Sequence, residues 1–141
     1  MTVDGIVRCM LSWGYVINPK ELNSFRAYVY EMFRHNRVLL VFDGVLLEAI
    51  VLFYITNNYE VLYKKSLWHI PDDEPDGHQL YLDKMVCRKM TLSLRRIIEK
   101  CFREKFPLVD ECYYHRPPCD HLVKIFRDKR RFSNELRSQV S

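Results

Sequence analysis

Apolar residues recur at helical spacing at Val3, Ile6, Val7, Met10 and Leu11, which predicts a short helix from Asp4 to about Trp13, ended by Gly14. Asn18-Pro19-Lys20-Glu21 then reads as a helix start: Asn18 can cap, Pro19 suits the first helical position, and Glu21 completes a pattern like a capping box. Leu22, Phe25, Val29, Met32 and Phe33 make one apolar stripe up to about His35. The period then changes. Val38–Phe42 and Val45–Thr56 are apolar, β-prone runs on either side of Asp43-Gly44, which predicts a hairpin. Asn58 and its neighbour Asn57 mark the next turn, Tyr59 to Ile70 a third strand, and Pro71 to Gly77 an exposed acidic loop. Gln79 to Val86 is a fourth strand. A helix of about Leu92 to Lys105 follows, capped by Thr91, with Leu92, Leu94, Ile97, Ile98, Cys101 and Phe102 as its apolar positions. Pro107 breaks the chain, Leu108 to His115 is a fifth strand, and Asp120 to about Lys129 follows Pro117-Pro118 as a last short helix.

The expected order is therefore α-α-β-β-β-β-α-β-α, an α+β fold with a central, mostly antiparallel sheet and helices on both faces. Its length of 141 residues suits one domain. At 48% hydrophobic residues the chain can bury a core. Only four residues are Gly, which argues against a Gly-rich nucleotide loop of the Walker or Rossmann kind. The apolar run Val45 to Ile55 is interrupted by Glu48 and is too short to span a bilayer. No basic start followed by an apolar run marks a signal peptide, so a cytoplasmic location is expected. Five Cys, an odd number at irregular spacing, then read as reduced thiols.

Charge divides the chain. Residues 1–87 carry 8 Lys/Arg against 11 Asp/Glu, and residues 88–141 carry 14 against 7. The basic half opens at Arg88-Lys89-Met90-Thr91-Leu92-Ser93, between a strand and a helix start. Unpaired backbone N–H groups and the positive end of the helix dipole favour a phosphate at such a place. An anionic ligand or a nucleic acid would suit this half, and a plain solvated face would explain it equally.

The same loop resembles the acetyl-CoA loop of the GNAT acyltransferase superfamily, Q/R-x-x-G-x-G/A. Arg88 fits the first position, Thr91 stands where Gly belongs, and Ser93 where Gly or Ala belongs. The element order is also that of the family, so the resemblance covers residues 1–132, as a single GNAT-like domain, with 133–141 as a tail. It implies that acetyl-CoA or CoA binds through Val86, Arg88, Thr91, Leu92 and Ser93, with pantetheine in a gap between the fourth and fifth strands. Val86 lies closer to Arg88 than the family usually allows, so the phosphate donors could fall around Leu94 to Arg96. Near the C-terminus Asp120 stands where the family often has Asn, and Phe132 fits the last position of Y-x-x-x-G-F, while Arg127 and Arg131 replace the Tyr and Gly. The replaced Tyr is a usual general acid, so the resemblance implies either a divergent N-acyltransferase or a catalytically decayed relative, of the sort used as virion or accessory parts by phages.

Acetyl transfer needs a base for the amine and an acid for the thiolate. Asp83 is the candidate base, Tyr81 or Tyr113 the acid, and His115 stands where an acceptor would enter; sheet aromatics, a surface carboxylate and a solvated His are the plainer reading of the same residues. Cys112, His115, Cys119 and His121 form a C-x2-H-x3-C-x-H cluster, but lack the two separated knuckles of structural zinc sites, and no metal is expected. The alternative to a CoA ligand is a non-enzymatic module that holds nucleic acid or an acidic protein through Lys124, Arg127, Lys129, Arg130 and Arg131, with Phe126 and Phe132 for stacking. No membrane partner is expected.

Overall fold

The computed structural model describes residues 1–58, 74–115 and 122–124. They form an α+β fold with helices α1 (Val3–Ser12), α2 (Leu22–Arg34) and α3 (Leu92–Lys105). The strands are β1 (Val38–Asp43), β2 (Leu46–Thr56), β3 (Gln79–Cys87), β4 (Glu111–His115) and β5 (Leu122–Lys124), in the sheet order β1-β2-β3-β4-β5. The sheet is mixed: β1 runs antiparallel to β2, β3 parallel to β4, and β4 antiparallel to β5. The expected strand Tyr59–Ile70 lies outside the described residues, so the strand expected fourth is β3 here. Among the described residues no helix is long and apolar enough to cross a membrane.

The chain divides into two compact units, Met1–Phe53 with Asp83–Arg95, and Tyr54–Leu82 with Arg96–Ser141. In the first, α1 packs on α2 and α2 on β1. Thr2 caps α1 by accepting the N–H of Gly5. The helix closes with Tyr15 N–H donating to the Met10 carbonyl, which requires the left-handed conformation that Gly14 adopts at φ +94°. Helix α2 ends in the same way. Arg37 N–H reaches the Met32 carbonyl, and Asn36 takes the left-handed position at φ +58°. Asn tolerates that region better than other residues bearing a side chain, because its short amide can bond locally. Asn18 does cap, accepting the N–H of Lys20, but it starts a single 3-10 turn, Pro19–Glu21, from which α2 continues.

Ile6, Val7, Met10, Phe25, Tyr28, Val29 and Met32 are buried from the two helices. Tyr28 takes the place in the stripe expected for Phe33, which is 41% exposed. The hairpin forms with its turn one residue later than expected. Asp43 pairs with Leu46, so Gly44, at φ +61°, and Val45 make the turn. Val41 pairs with Ala49 and Phe42 with Leu47, which leaves Glu48 as the extra residue of a β-bulge.

In the second unit, Gln79–Leu82 pair with Glu111–Tyr114 in parallel register. Leu80, Leu82, Ile98, Phe102, Val109 and Cys112 are buried around that pair. The last helix expected from Asp120 is not formed at Leu122–Lys124. These residues are a strand, with Leu122 opposite His115 and Lys124 opposite Tyr113. An available ladder edge on β4 outweighs a weak helical spacing, because it supplies ready backbone partners, whereas a helix this short is dominated by its costly nucleus.

The acidic loop before β3 is exposed over Glu74–Asp76, yet it is tied down. The Glu74 N–H donates to the Ile55 carbonyl, and its carboxylate accepts from Thr56 Oγ1 and from the N–H and Nδ2 of Asn57. Gly77 is buried where this loop crosses Thr56, and a Cβ there would lie 2.5 Å from the Thr56 carbonyl oxygen and 2.9 Å from its nitrogen. Backbone cannot step aside as a side chain does. Gly77→Ala should therefore destabilise the fold by about 1–3 kcal/mol, read as a lower midpoint in urea; an unchanged midpoint would show that the crossing tolerates a methyl group.

Candidate functional site

The loop Arg88–Ser93 is held at both ends and open between them. At its start the Arg88 N–H donates to the Glu48 carbonyl at 3.0 Å, so the bulge on β2 carries the hydrogen bond that positions the loop. At its end Thr91 caps α3. Its Oγ1 accepts the N–H of Leu94 at 3.1 Å and its carbonyl the N–H of Arg95 at 3.0 Å. Leu94 is buried and seats the first turn. The six residues Arg88 to Ser93 are all exposed. Among the described residues no acceptor meets the N–H groups of Leu92 and Ser93, as expected at a helix start.

The charged residues of the loop and of the first turn of α3 have one sign. The first turn of α3 carries no carboxylate, although the dipole favours one there. Arg88, Lys89 and Arg95 are exposed, and none makes an ion pair among the described residues. Cys87, the last residue of β3, is half-buried beside them, and burial pushes its thiol up to about 11, away from the thiolate form. Val86 is half-buried on β3.

Asp83 has a structural partner. Tyr28 Oη donates to Asp83 Oδ2, tying α2 to β3 within the first unit. Tyr15 lies in the same nook, stacked on Phe25 with ring centroids 5.3 Å apart. Its hydroxyl is pushed up to about 12, by burial first and then by the negative charges of Asp83 and Glu21. Tyr81 belongs to the second unit, 5% exposed and paired with Tyr113 across the parallel strands. Tyr113 donates its hydroxyl to Glu111 Oε2.

His115 closes β4; its side chain, and residues Arg127, Lys129, Arg130 and Arg131, lie outside what is described, and Lys124 is known only as part of β5. Of the Cys/His cluster, Cys112 is fully buried on β4, and Cys119 and His121 lie outside the described residues. Two features had no sequence signal. Tyr28 with Asp83 are 55 positions apart, and His78, Asp110 and Glu111 are joined only by the parallel pairing.

No protein-family model and no curated protein matches the chain.

Two measurements test the site's construction. Thr91→Ala removes the cap of α3 and should cost about 1 kcal/mol of stability, whereas Thr91→Ser, which keeps the oxygen, should restore most of it. Tyr15 should show itself at alkaline pH. The unfolded chain loses the phenol proton near its ordinary value of 10 while the folded chain holds it to about 12, so the folded state binds more protons in that window. Stability conferred by the neutral phenol is complete below pH 10 and falls away as pH rises to about 12. Urea titrations from pH 9 to 12 on the wild type and on Tyr15→Phe should show a shallower decline in the variant.

Proposed function

We propose that the chain is a divergent, GNAT-like domain that binds a CoA-type ligand, with the ligand's pyrophosphate at the start of α3. The observation that carries the reading is the capped, carboxylate-free helix start: it is fixed by the Glu48–Arg88 hydrogen bond and surrounded by Arg88, Lys89 and Arg95 without ion-pair partners among the described residues. A pyrophosphate would supply both the acceptors and the negative charge that this end lacks. The order β3–α3–β4, with the two strands parallel and their described register ending at Leu82 opposite Tyr114, supports the resemblance.

Binding stands ahead of catalysis in this reading. Asp83 already accepts the Tyr28 hydroxyl, Tyr113 is engaged with Glu111, and Tyr81, the other candidate acid, is buried at 5% exposure. Thr91 and Ser93 keep the backbone further from a pyrophosphate than glycines would, which makes the expected affinity modest. The basic half of the chain supports the second reading, a module for nucleic acid or an acidic partner through Lys124, Arg127, Lys129, Arg130 and Arg131.

Calorimetry with acetyl-CoA separates them. The wild type should bind, and Arg88→Ala, which removes a charge-assisted contact, should bind about 10- to 100-fold more weakly, equivalent to about 1.5–3 kcal/mol. Absence of binding at millimolar acetyl-CoA, with salt-sensitive binding of DNA or RNA lost on neutralising Lys129, Arg130 and Arg131, would reject the CoA reading in favour of the second.

A further inference from the structure

Three ligand-type side chains meet at the start of the β3–β4 pair. His78, Asp110 and Glu111 each bring one donor atom to within 4.8 Å of the others. Their backbones are laced together, with the His78 carbonyl accepting the N–H of Asp110 at 2.9 Å and, more weakly, that of Glu111 at 3.4 Å.

Each side chain is prepared in a different way. Asp110 Oδ1 is buried, and among the described residues no donor reaches it. A carboxylate oxygen out of water without a donor is costly to leave, and a cation beside it removes the cost. His78 Nδ1 lies 2.9 Å from Asn57 Oδ1. The Asn57 amide nitrogen donates to Glu74 Oε2 at 3.1 Å, which fixes the amide with its oxygen toward the ring. This contact selects the tautomer of the neutral ring with the proton on Nδ1 and the lone pair on Nε2, the arrangement found where an outer acceptor orients a metal-binding imidazole. Glu111 is oriented through Oε2, which accepts from Gln79 Nε2 at 3.2 Å and Tyr113 Oη at 2.9 Å.

We propose that His78, Asp110 and Glu111 form a binding site for a divalent transition metal, with Zn2+ as the first choice and Mn2+ as the second. One neutral imidazole and two carboxylates carry a charge that a divalent ion cancels, and a mixed nitrogen and oxygen set suits these ions better than Mg2+ or Ca2+, which prefer oxygen alone. Bonds of about 2.1 Å place neighbouring ligand atoms about 3.0–3.5 Å apart, so the three donors draw together by side-chain rotation. His78 is exposed, which gives the ion a way in and leaves room for water as a further ligand. The ion would clamp the turn before β3 to Asp110 and to Glu111, the first residue of β4, inside the second unit. The proposal does not rest on CoA binding, and either can fail alone.

The full chain, stripped with chelator and dialysed, is titrated with ZnCl2 by calorimetry, and its Co2+ form is examined by absorption. Saturation at one equivalent is expected, with affinity reduced at least about tenfold in His78→Gln and in Asp110→Asn, and about 10- to 100-fold in Asn57→Ala, which frees the imidazole. His78 is exposed, so His78→Gln keeps the fold and decides the matter alone if Asp110→Asn unfolds. Cys119→Ser should leave affinity unchanged, and the Co2+ form should lack the intense near-ultraviolet band of a cobalt–thiolate bond. No Zn2+ binding below millimolar concentration, binding undiminished in His78→Gln, or a thiolate band lost in Cys119→Ser would each overturn the proposal.

Discussion

Gln79–Leu82 and Glu111–Tyr114 run parallel, and no tight turn can join parallel strands. The chain between them has to leave the sheet and come back, and α3 is that crossover. The carbonyl of His78, which receives both Asp110 and Glu111, sets where the second strand begins. Much follows from this one pairing. It dictates that β3 is followed by a loop and a helix start, the location of the candidate anion site, and it brings His78 beside two carboxylates more than 30 positions away. It also creates a β4 edge on which Leu122–Lys124 can pair.

The loop before α3 gains its definition from features on other elements. The bulge at Glu48 interrupts the ladder of β1 with β2, and its carbonyl turns to the Arg88 N–H. Bulges of this kind redirect backbone groups at small cost, which is why they gather near functional sites. Asp83, four positions before Cys87, is held by Tyr28 from α2, so the end of β3 is fastened within the first unit by a charge-assisted hydrogen bond. Burial, and after it the charge of Asp83, raises Tyr15, and both Tyr15 and Tyr28 lie against Phe25. The residue the sequence offered as a catalytic base is the acceptor of this hydrogen bond.

Local order was legible wherever local forces decide. The α3 bounds, Leu92 and Lys105, and its cap at Thr91 follow from spacing and hydroxyl chemistry, and Gly14 ends α1 because glycine adopts the left-handed conformation freely. The hairpin was legible as a hairpin, but its turn moved to Gly44-Val45, since the register of the bulged strands and not the Asp-Gly pair alone decides it. Phe33 and Tyr28 exchanged places because burial on α2 follows the face set by α1 and β1, and Tyr28 had a carboxylate to satisfy its hydroxyl. The strand at Leu122–Lys124 was not legible: three residues hold no period, and only the β4 edge makes them a strand. The grouping of His78, Asp110 and Glu111 was invisible for the same reason, being a product of register and not of spacing.

The central claim is that the start of α3 receives the ligand's phosphates through backbone amides. It is tested most directly by following the amide resonances of 15N-labelled protein during a titration with CoA. The account predicts the largest, saturable downfield shifts at Leu92, Ser93 and Leu94, with smaller changes at the Arg88 and Arg95 side chains. Shifts confined to Lys124 and the basic residues that follow it, with Leu92 to Leu94 unmoved at saturation, would contradict it.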